Sequence, residues 1–287
     1  MFSVNTYLHE VAPSRYMCAH QTETRSLGTI TKALTMLNFF SAEQSEIGLA
    51  NFVRLTGRDK ATVRRHLIEL EENGFLEQNP ASRGYRLGPS ILRLAAVREL
   101  HFPAVSAAAP IVTEIAETLG ELVHTALLQN NMMSHLYNAD PQIHGTRVIF
   151  DEAEMLPLHA TSSGLAMLAF GPPALEDIVL SGPLDPFTPK TVVDKSVLVG
   201  LIEQARERGF SFGDQGFTDE VFSFAVPIFG PEEIAVGTIA VPVPVSRLND
   251  EKKSQILKVL KKGCEDASRS FGGKVPAHVR EAWSRSI

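Results

Sequence analysis

The tight spacing of two helical patterns around Gly57 constrains this chain more than any other feature of its sequence. Leu49, Phe52 and Val53 follow the steps of an amphipathic helix, and Gly57 can adopt the left-handed conformation in which a helix ends and turns sharply. Asp59 is a good N-cap, so a further helix should begin almost immediately. This is the spacing of a helix-turn-helix.

The flanking sequence completes a small domain of three helices and a β-hairpin. Apolar residues recur at helical steps over residues 30–40, which predicts a first helix. The helix after Asp59 buries Val63, Leu67 and Leu70, and Gly74 stands where a C-terminal cap is expected. The strings FLEQ and YRLG flank the turn-rich string NPASRG, a pattern typical of a hairpin.

The local charge reverses in this region. The whole chain carries a net charge of −6, whereas residues 54–93 contain eight basic and five acidic residues and are net positive. Because the first two turns of the third helix enter a major groove in such modules, we expect a DNA-binding surface there, with the hairpin near flanking phosphates. A solvated basic face is the alternative. The candidate DNA-binding residues are Lys60, Ala61, Thr62, Arg64, Arg65, Arg83 and Arg86.

The rest of the chain predicts a linker and a second, α+β domain. Pro89 opens a helical stretch that ends near Pro103, so residues 89–104 are interpreted as a linker helix. Beyond it, the strings ELVHTALLQ and MMSHLYN flank a turn at Asn130-Asn131, and FSFAVPIF and IAVGTIAVPV form a later strand pair. Helices are predicted at residues 105–119, 162–170, 174–180, 195–208 and 250–270.

Composition excludes several classes of protein. The chain has 287 residues, of which 44% are hydrophobic, which favours two globular domains. It has neither an apolar run of membrane-spanning length nor a signal-peptide pattern, so we expect a cytoplasmic protein. Cys18 and Cys264 are far apart, which argues against a disulfide framework or thiolate zinc site. Residues 1–24 and 273–287 are predicted tails, and Met17 is an alternative start.

Histidine spacing offers little support for an enzyme. With a turn at Asn130-Asn131, His124 should oppose Tyr137 and His135 should oppose Ala126, so the two histidines are not paired. The patterns H-E-x-x-H, G-x-S-x-G and G-x-x-x-x-G-K do not occur. We therefore expect no catalytic residue, metal or cofactor.

Several multi-residue strings together resemble the IclR-type bacterial transcription regulators. They include GLANFVRLTGRDKATVRRHLIELEENGFLEQ in the first half, and LPLHATSSGLAMLAF and ARERGFSFGDQGF in the second. The resemblance spans about residues 25–271. It implies a winged helix-turn-helix over residues 25–88, the linker helix, and a GAF-like effector-binding domain over residues 105–272 that binds a small metabolite.

The resemblance also assigns effector-binding residues. In the family, the turn after H-A-T leads into a helix whose N-H groups meet an organic acid, and a helix N-terminus does favour a carboxylate. The alternative to ligand binding is that Thr161 or Ser162 only caps this helix. Gly213, Pro242 and Leu165 replace polar residues common in relatives, so we expect a carboxylate with an apolar or aromatic body. The candidate effector-binding residues are Leu156, Ser162, Ser163, Asp214, Val221, Ser223 and Ala240.

The expected protein is a regulator that binds double-stranded, pseudo-palindromic operator DNA as a homodimer, with a dimer of dimers as the larger alternative. An apolar seam of Ile91, Leu92, Ala95 and Leu100 would join two linker helices. Repression and activation both remain open. The alternatives are an enzyme that keeps the helix-turn-helix for dimerisation and a constitutive regulator with a vestigial pocket.

Overall fold

The computed structural model describes residues 28–41 and 44–285. The predicted tail of residues 1–24, with Met17 and Cys18, lies outside this part of the chain. The described residues form a small N-terminal domain, a linker helix and a larger α+β domain, in the order that the sequence predicts.

The N-terminal domain is a winged helix-turn-helix. Its elements are α1 (Thr29–Leu34), α2 (Leu49–Thr56), α3 (Lys60–Glu72), β1 (Leu76–Gln78) and β2 (Tyr85–Leu87). The first helix is shorter than predicted, because the chain tightens into a 3₁₀ turn at Thr35–Phe39. The Thr35 hydroxyl donates a hydrogen bond to the Lys32 carbonyl at 3.1 Å, a local bond of the kind that competes with regular helix.

One buried phenylalanine organises this domain. The ring of Phe52 lies edge-on to those of Phe40 and Tyr85, at centroid distances of 5.9 and 6.3 Å. Backbone hydrogen bonds between Ile47 and Tyr85 also attach the segment before α2 to the hairpin. The wing and the helices therefore share one core.

The linker helix α4 (Pro89–His101) is exposed along most of its length, with Pro89 in its first turn as predicted and only Ser90, Ile91 and Glu99 half-buried. None of its residues is buried, and Leu92 and Leu100 are 76% and 78% exposed. The next helix, α5 (Ala104–Leu119), is amphipathic and packs on the second domain. The apolar side chains of α4 thus face solvent in the single chain.

The second domain is one antiparallel sheet covered by helices on both faces. Its strands are β3 (Val123–Gln129), β4 (Met132–Ala139), β5 (Leu156–Pro157), β6 (Ser211–Asp214), β7 (Val221–Phe229) and β8 (Ala235–Pro244), in the order β5-β4-β3-β8-β7-β6. Its helices are α6 (Ser162–Phe170), α7 (Ala174–Ser181), α8 (Lys195–Arg208), α9 (Asp250–Ser270) and α10 (Ala277–Arg285). Helices α5 and α9 pack on one face and α6 on the other. The short strands β5 and β6 were not predicted.

The C-terminus differs from the prediction. Most of residues 273–287, which the sequence analysis assigned to a tail, form or lead into α10, which packs on α8. The indole Nε1 of buried Trp283 donates a hydrogen bond to the Gly209 carbonyl at 2.9 Å. Gly209 has a φ of +75°, and a Cβ there would lie 2.6 Å from that nitrogen. The second domain therefore extends to Arg285 instead of ending at residue 272.

Candidate DNA-binding surface and effector-binding cavity

The N-terminal half of α3 presents the predicted DNA-binding residues. Lys60, Ala61, Arg64 and Arg65 are exposed, and Thr62 is half-buried. Within residues 28–41 and 44–285, no ion pair joins the three basic side chains to a carboxylate. Their charges are therefore available to phosphate oxygens.

Asp59 holds the start of this helix. Its carboxylate accepts a hydrogen bond from the Thr62 backbone N-H at 2.8 Å, and this bond lowers the pKa of the carboxyl group. Behind the helix, the Arg58 guanidinium donates a hydrogen bond to the Lys32 carbonyl at 3.0 Å. The acidic residue beside the basic surface thus stabilises the helix N-terminus.

The two predicted wing arginines occupy different environments. Arg83 is exposed at the tip of the hairpin, with a left-handed φ of 62°. Arg86 lies opposite Glu77 in the β1–β2 register, and its Nε lies 2.6 Å from the Glu77 carboxylate. Arg83 is therefore the better placed of the two for a phosphate, since Arg86 must leave or share its carboxylate to bind one.

An open cavity, with about 570 Å³ of empty space when the part open to solvent is included, lies beside the N-terminus of α6, at the ends of β3, β6, β7 and β8. The segments 148–154 and 215–218 border it. Five predicted effector residues line the cavity: Leu156, Ser162, Ser163, Val221 and Ser223. The described lining residues that the sequence analysis did not assign to the effector include His124, Phe150, Glu154, Gln215, Phe217, Thr218 and Pro242, and none of the lining residues is a lysine or arginine.

Asp214 and Ala240 do not line the cavity. The Asp214 carboxylate accepts a hydrogen bond from the Gln215 side chain at 2.9 Å and lies 3.7 Å from the Lys190 ammonium. Ala240 is fully buried in a small cluster with Ala166 and Ala225, beneath α6. It precedes Pro242 by two residues on β8, and Pro242 does line the cavity. The apolar wall expected from Leu156, Val221 and Ala240 thus lacks its third member.

Two residues at the start of α6, Thr161 and Ser163, differ in their hydrogen bonding. Thr161 is the cap: its hydroxyl accepts from the Gly164 N-H and donates to the Pro157 carbonyl, both at 2.9 Å. Gly164 allows the close approach of Leu158, whose Cα would lie 2.3 Å from a Cβ at that position. Ser163 is only 1% exposed, and its hydroxyl has no hydrogen-bond partner in the described part of the chain. Ser163 is therefore a residue of the cavity lining whose buried hydroxyl lacks a partner in the described chain.

His124 lines the cavity and lies beside a β-bulge in the β3–β4 pair. His135 opposes Ala126 as predicted, but the register shifts between Thr125 and Ala126, so His124 opposes Asn138 instead of Tyr137. The His124 ring stacks on Phe150 at a centroid distance of 4.6 Å. Burial, with a smaller contribution from His135, lowers the pKa of His124 to about 3. Only the alternation of β3 could have indicated its inward orientation from sequence.

Two threonines attach the loop at residues 185–191 to the cavity wall. The Thr188 and Thr191 hydroxyls donate to the carbonyls of Gln215 and Gly216, both at 2.6 Å. The His159 ring contacts the Asp185 carbonyl at 2.9 Å. This loop therefore connects the segment before α6 with the opposite wall of the cavity.

Both halves of the chain match known protein families. Residues 29–80 match the family described as "IclR helix-turn-helix domain". Residues 98–269 match the family described as "Bacterial transcriptional regulator IclR C-terminal". The chain belongs to the IclR family of bacterial transcriptional regulators. It is therefore a DNA-binding transcriptional regulator and not an enzyme.

Individual relatives support the same assignment. A solved IclR transcriptional regulator from Silicibacter sp. TM1040 is 41% identical, with a TM-score of 0.81 over 88% of this chain and 99% of that one. The glycerol operon regulatory protein of Streptomyces griseus is 28% identical over 78% of this chain and 87% of its own length. An IclR homolog from Microbacterium hydrocarbonoxydans, solved with 4-hydroxybenzoate, shares the fold at 22% identity and a TM-score of 0.71, over 85% of this chain and 99% of that one.

None of the described helices is long and apolar enough to cross a membrane. Groups of three or more His, Cys, Asp or Glu side chains placed to hold a metal ion do not occur among residues 28–41 and 44–285.

Proposed function

We propose that this IclR-family chain is a dimeric regulator of a metabolic operon, whose operator binding is controlled by a small carboxylate with an apolar or aromatic body. The observation that carries the effector assignment is the buried Ser163 hydroxyl at the N-terminus of α6. A carboxylate placed there would accept from Ser163 and from the helix N-terminus. Phe150, Phe217, Leu156 and Val221 would surround its apolar part.

The absence of basic residues among the described lining side chains supports a ligand with one carboxylate. A single carboxylate matches the roughly half positive charge of a helix N-terminus, whereas a second one would need a cation. The complex of the Microbacterium relative with 4-hydroxybenzoate supports an aromatic acid, and the glycerol operon regulators support a metabolic operon.

Dimerisation through α4 is supported by its apolar exposure. Leu92, Leu94, Val97 and Leu100 are all exposed on this helix. Two copies of α4 packed across a two-fold axis would cover these side chains and place two α3 helices on successive half-sites. Such a linker would also transmit an effector-dependent arrangement of the second domains to the DNA.

Selection of bound fragments from random genomic DNA tests the DNA-binding part of the proposal. A dimer should enrich a short pseudo-palindrome, and its affinity should fall steeply with salt. Replacing Arg64 and Arg65 with Ala removes four basic side chains from the dimer, so it should weaken binding and reduce the slope of log K against log salt by about 4. The control variant replaces Arg269 on α9 and Arg280 on α10 with Ala, which removes the same number of charges. It should leave the operator affinity and the salt slope unchanged.

A thermal-stability screen of organic acids tests the effector part. An acid that binds only the folded protein must raise its stability, and the same acid should change operator affinity. Release of the operator would indicate a repressor, and tighter operator binding an activator under effector control. If no acid changes stability while operator binding is normal, the chain is a constitutive regulator with a vestigial pocket.

A further inference from the structure

The cavity contains a second buried polar group besides Ser163. The His124 side chain lines the cavity and is 6% exposed, and its Nδ1 has no hydrogen-bond partner among the described residues. Buried ring nitrogens are normally hydrogen-bonded, so an unpartnered one on a residue that lines a cavity indicates a missing partner. A ligand atom or an ordered water could provide it.

The sheet places His124 and the start of α6 at opposite ends of the cavity. Paired residues on neighbouring strands share a face, and the pairs His124–Ala240, Ser223–Pro242 and Gly213–Ser223 put these residues on one face. Strand β3 lies two strands from β7 and three from β6. With the usual strand spacing and the two-residue offset between Ala240 and Pro242 on β8, this separates His124 from Ser223 and Gly213 by roughly 12 to 16 Å.

The opposite end of the cavity reaches the α6 N-terminus directly. A Cβ on Gly213 would lie 3.2 Å from the Ser162 backbone nitrogen, so the glycine leaves this nitrogen open to the cavity. Ser163 follows on the same helix turn. A ligand that contacts both ends therefore spans about 6 to 10 Å between its polar atoms, once a hydrogen bond at each end is allowed for.

The two ends suit different chemical groups. Burial keeps the His124 imidazole neutral, with a pKa of about 3, so the ring offers one donor and one acceptor and no positive charge. A second carboxylate would be unfavourable beside a neutral, buried ring. A hydroxyl or carbonyl group, by contrast, needs only one hydrogen bond. Phe150, stacked on His124, provides an apolar surface for the part of the ligand in between.

We propose that His124 is a specificity-determining residue for the effector, and that the effector is a carboxylate whose far end carries a neutral hydroxyl or carbonyl group. This inference rests on the proposed function, since it takes the carboxylate at α6 as its starting point. Beyond the proposed function, it states that the end of the effector distant from the carboxylate is polar and that His124 selects for this polar group.

The test compares acids that differ only in the distal hydroxyl. Calorimetric titrations of the full chain would use three pairs: benzoate and 4-hydroxybenzoate, phenylacetate and 4-hydroxyphenylacetate, and hexanoate and 6-hydroxyhexanoate. Wild-type protein should bind the hydroxylated member of at least one pair more tightly by about 5- to 100-fold, the range expected when a buried polar group gains or lacks its partner.

Three variants locate the origin of this preference. His124→Phe keeps a ring against Phe150 but removes both nitrogens, so the two acids of that pair should bind within about twofold of each other. His124→Asn keeps a polar group near the position of Nδ1 and should retain part of the preference, which covers the case in which His124→Phe does not fold. His135→Phe is the matched control, because His135 also contacts Phe150, at 5.3 Å, without lining the cavity. It should retain the full preference.

The outcomes separate the two proposals. If none of the six acids binds, the carboxylate assignment is overturned and the role of His124 with it. If acids bind but hydroxylated members gain nothing, or the preference survives in His124→Phe, only the role of His124 is overturned. A water bound between the two histidines in the liganded protein would likewise overturn the role of His124 alone.

Discussion

Thr191 should support the effector cavity from outside, although it does not line it. Its hydroxyl accepts hydrogen bonds from the backbone N-H groups of Phe187 and Thr188, both at 2.8 Å. The same hydroxyl donates to the carbonyl of Gly216, a lining residue, at 2.6 Å. Thr191→Val preserves the shape of the side chain and removes all three bonds.

The expected loss of stability follows from the groups left without partners. A buried donor or acceptor deprived of its hydrogen bond costs about 1 to 3 kcal/mol. Two N-H groups and one carbonyl are affected, but Thr191 is 9% exposed, so water can reach part of the site. We expect the free energy of unfolding to fall by about 3 kcal/mol, which lowers the Tm of a domain of this size by roughly 6 to 12 °C.

Thermal and urea unfolding of full-length variants at one protein concentration would measure this loss. Thr191→Ser restores the hydroxyl and should recover most of the stability. Thr113→Val is a suitable control, because the Thr113 hydroxyl makes a single 3.3 Å contact with the Tyr137 hydroxyl and should cost about 1 kcal/mol or less. The reasoning fails if Thr191→Val matches wild type within about 1 kcal/mol, or if Thr191→Ser is no more stable than Thr191→Val.

Three further predictions concern other parts of the molecule. Ser163→Ala removes a buried hydroxyl that has no partner in the described chain. Calorimetry should show carboxylate binding weakened by about 5-fold or more, and the unliganded variant should be at least as stable as wild type. A loss of stability in the unliganded variant would contradict this. The pKa of His124 is about 3 in the folded protein and 6.5 when unfolded, so the unfolded state binds more protons at acidic pH and stability falls as pH drops below about 6.5. Between pH 7.5 and pH 5, wild type should lose about 2 kcal/mol more than His124→Phe in urea titrations, and equal losses would show that His124 is not buried in its neutral form. Ala95→Glu places a charge on the exposed apolar surface of α4 and should weaken dimerisation in sedimentation experiments together with operator binding; a dimeric variant that binds its operator normally and responds to effector would disprove the linker seam.

Local chemistry made the DNA-binding domain predictable from sequence. Gly57 adopts a left-handed φ of +63° and Asp59 caps α3, and both roles depend only on residues a few positions away. Helix α9 occupies Asp250–Ser270, where the apolar periodicity predicted residues 250–270. Thr161 likewise caps α6 through a residue only three positions away, which favours the capping alternative for Thr161. Ser163 is then the residue proposed to bind the ligand.

Contacts between residues distant in sequence decided what the patterns did not predict. A bulge in the β3–β4 pair moved His124 opposite Asn138, because one extra residue on a strand shifts every later pair. Trp283 turned a predicted tail into a packed helix through its bond to Gly209, 74 residues earlier in the chain. The pairing of Arg86 with Glu77 likewise follows from the hairpin register. Helix caps and turns are specified by neighbouring residues, whereas the lining of the cavity depends on which distant segments pack together, and sequence periodicity does not contain that information.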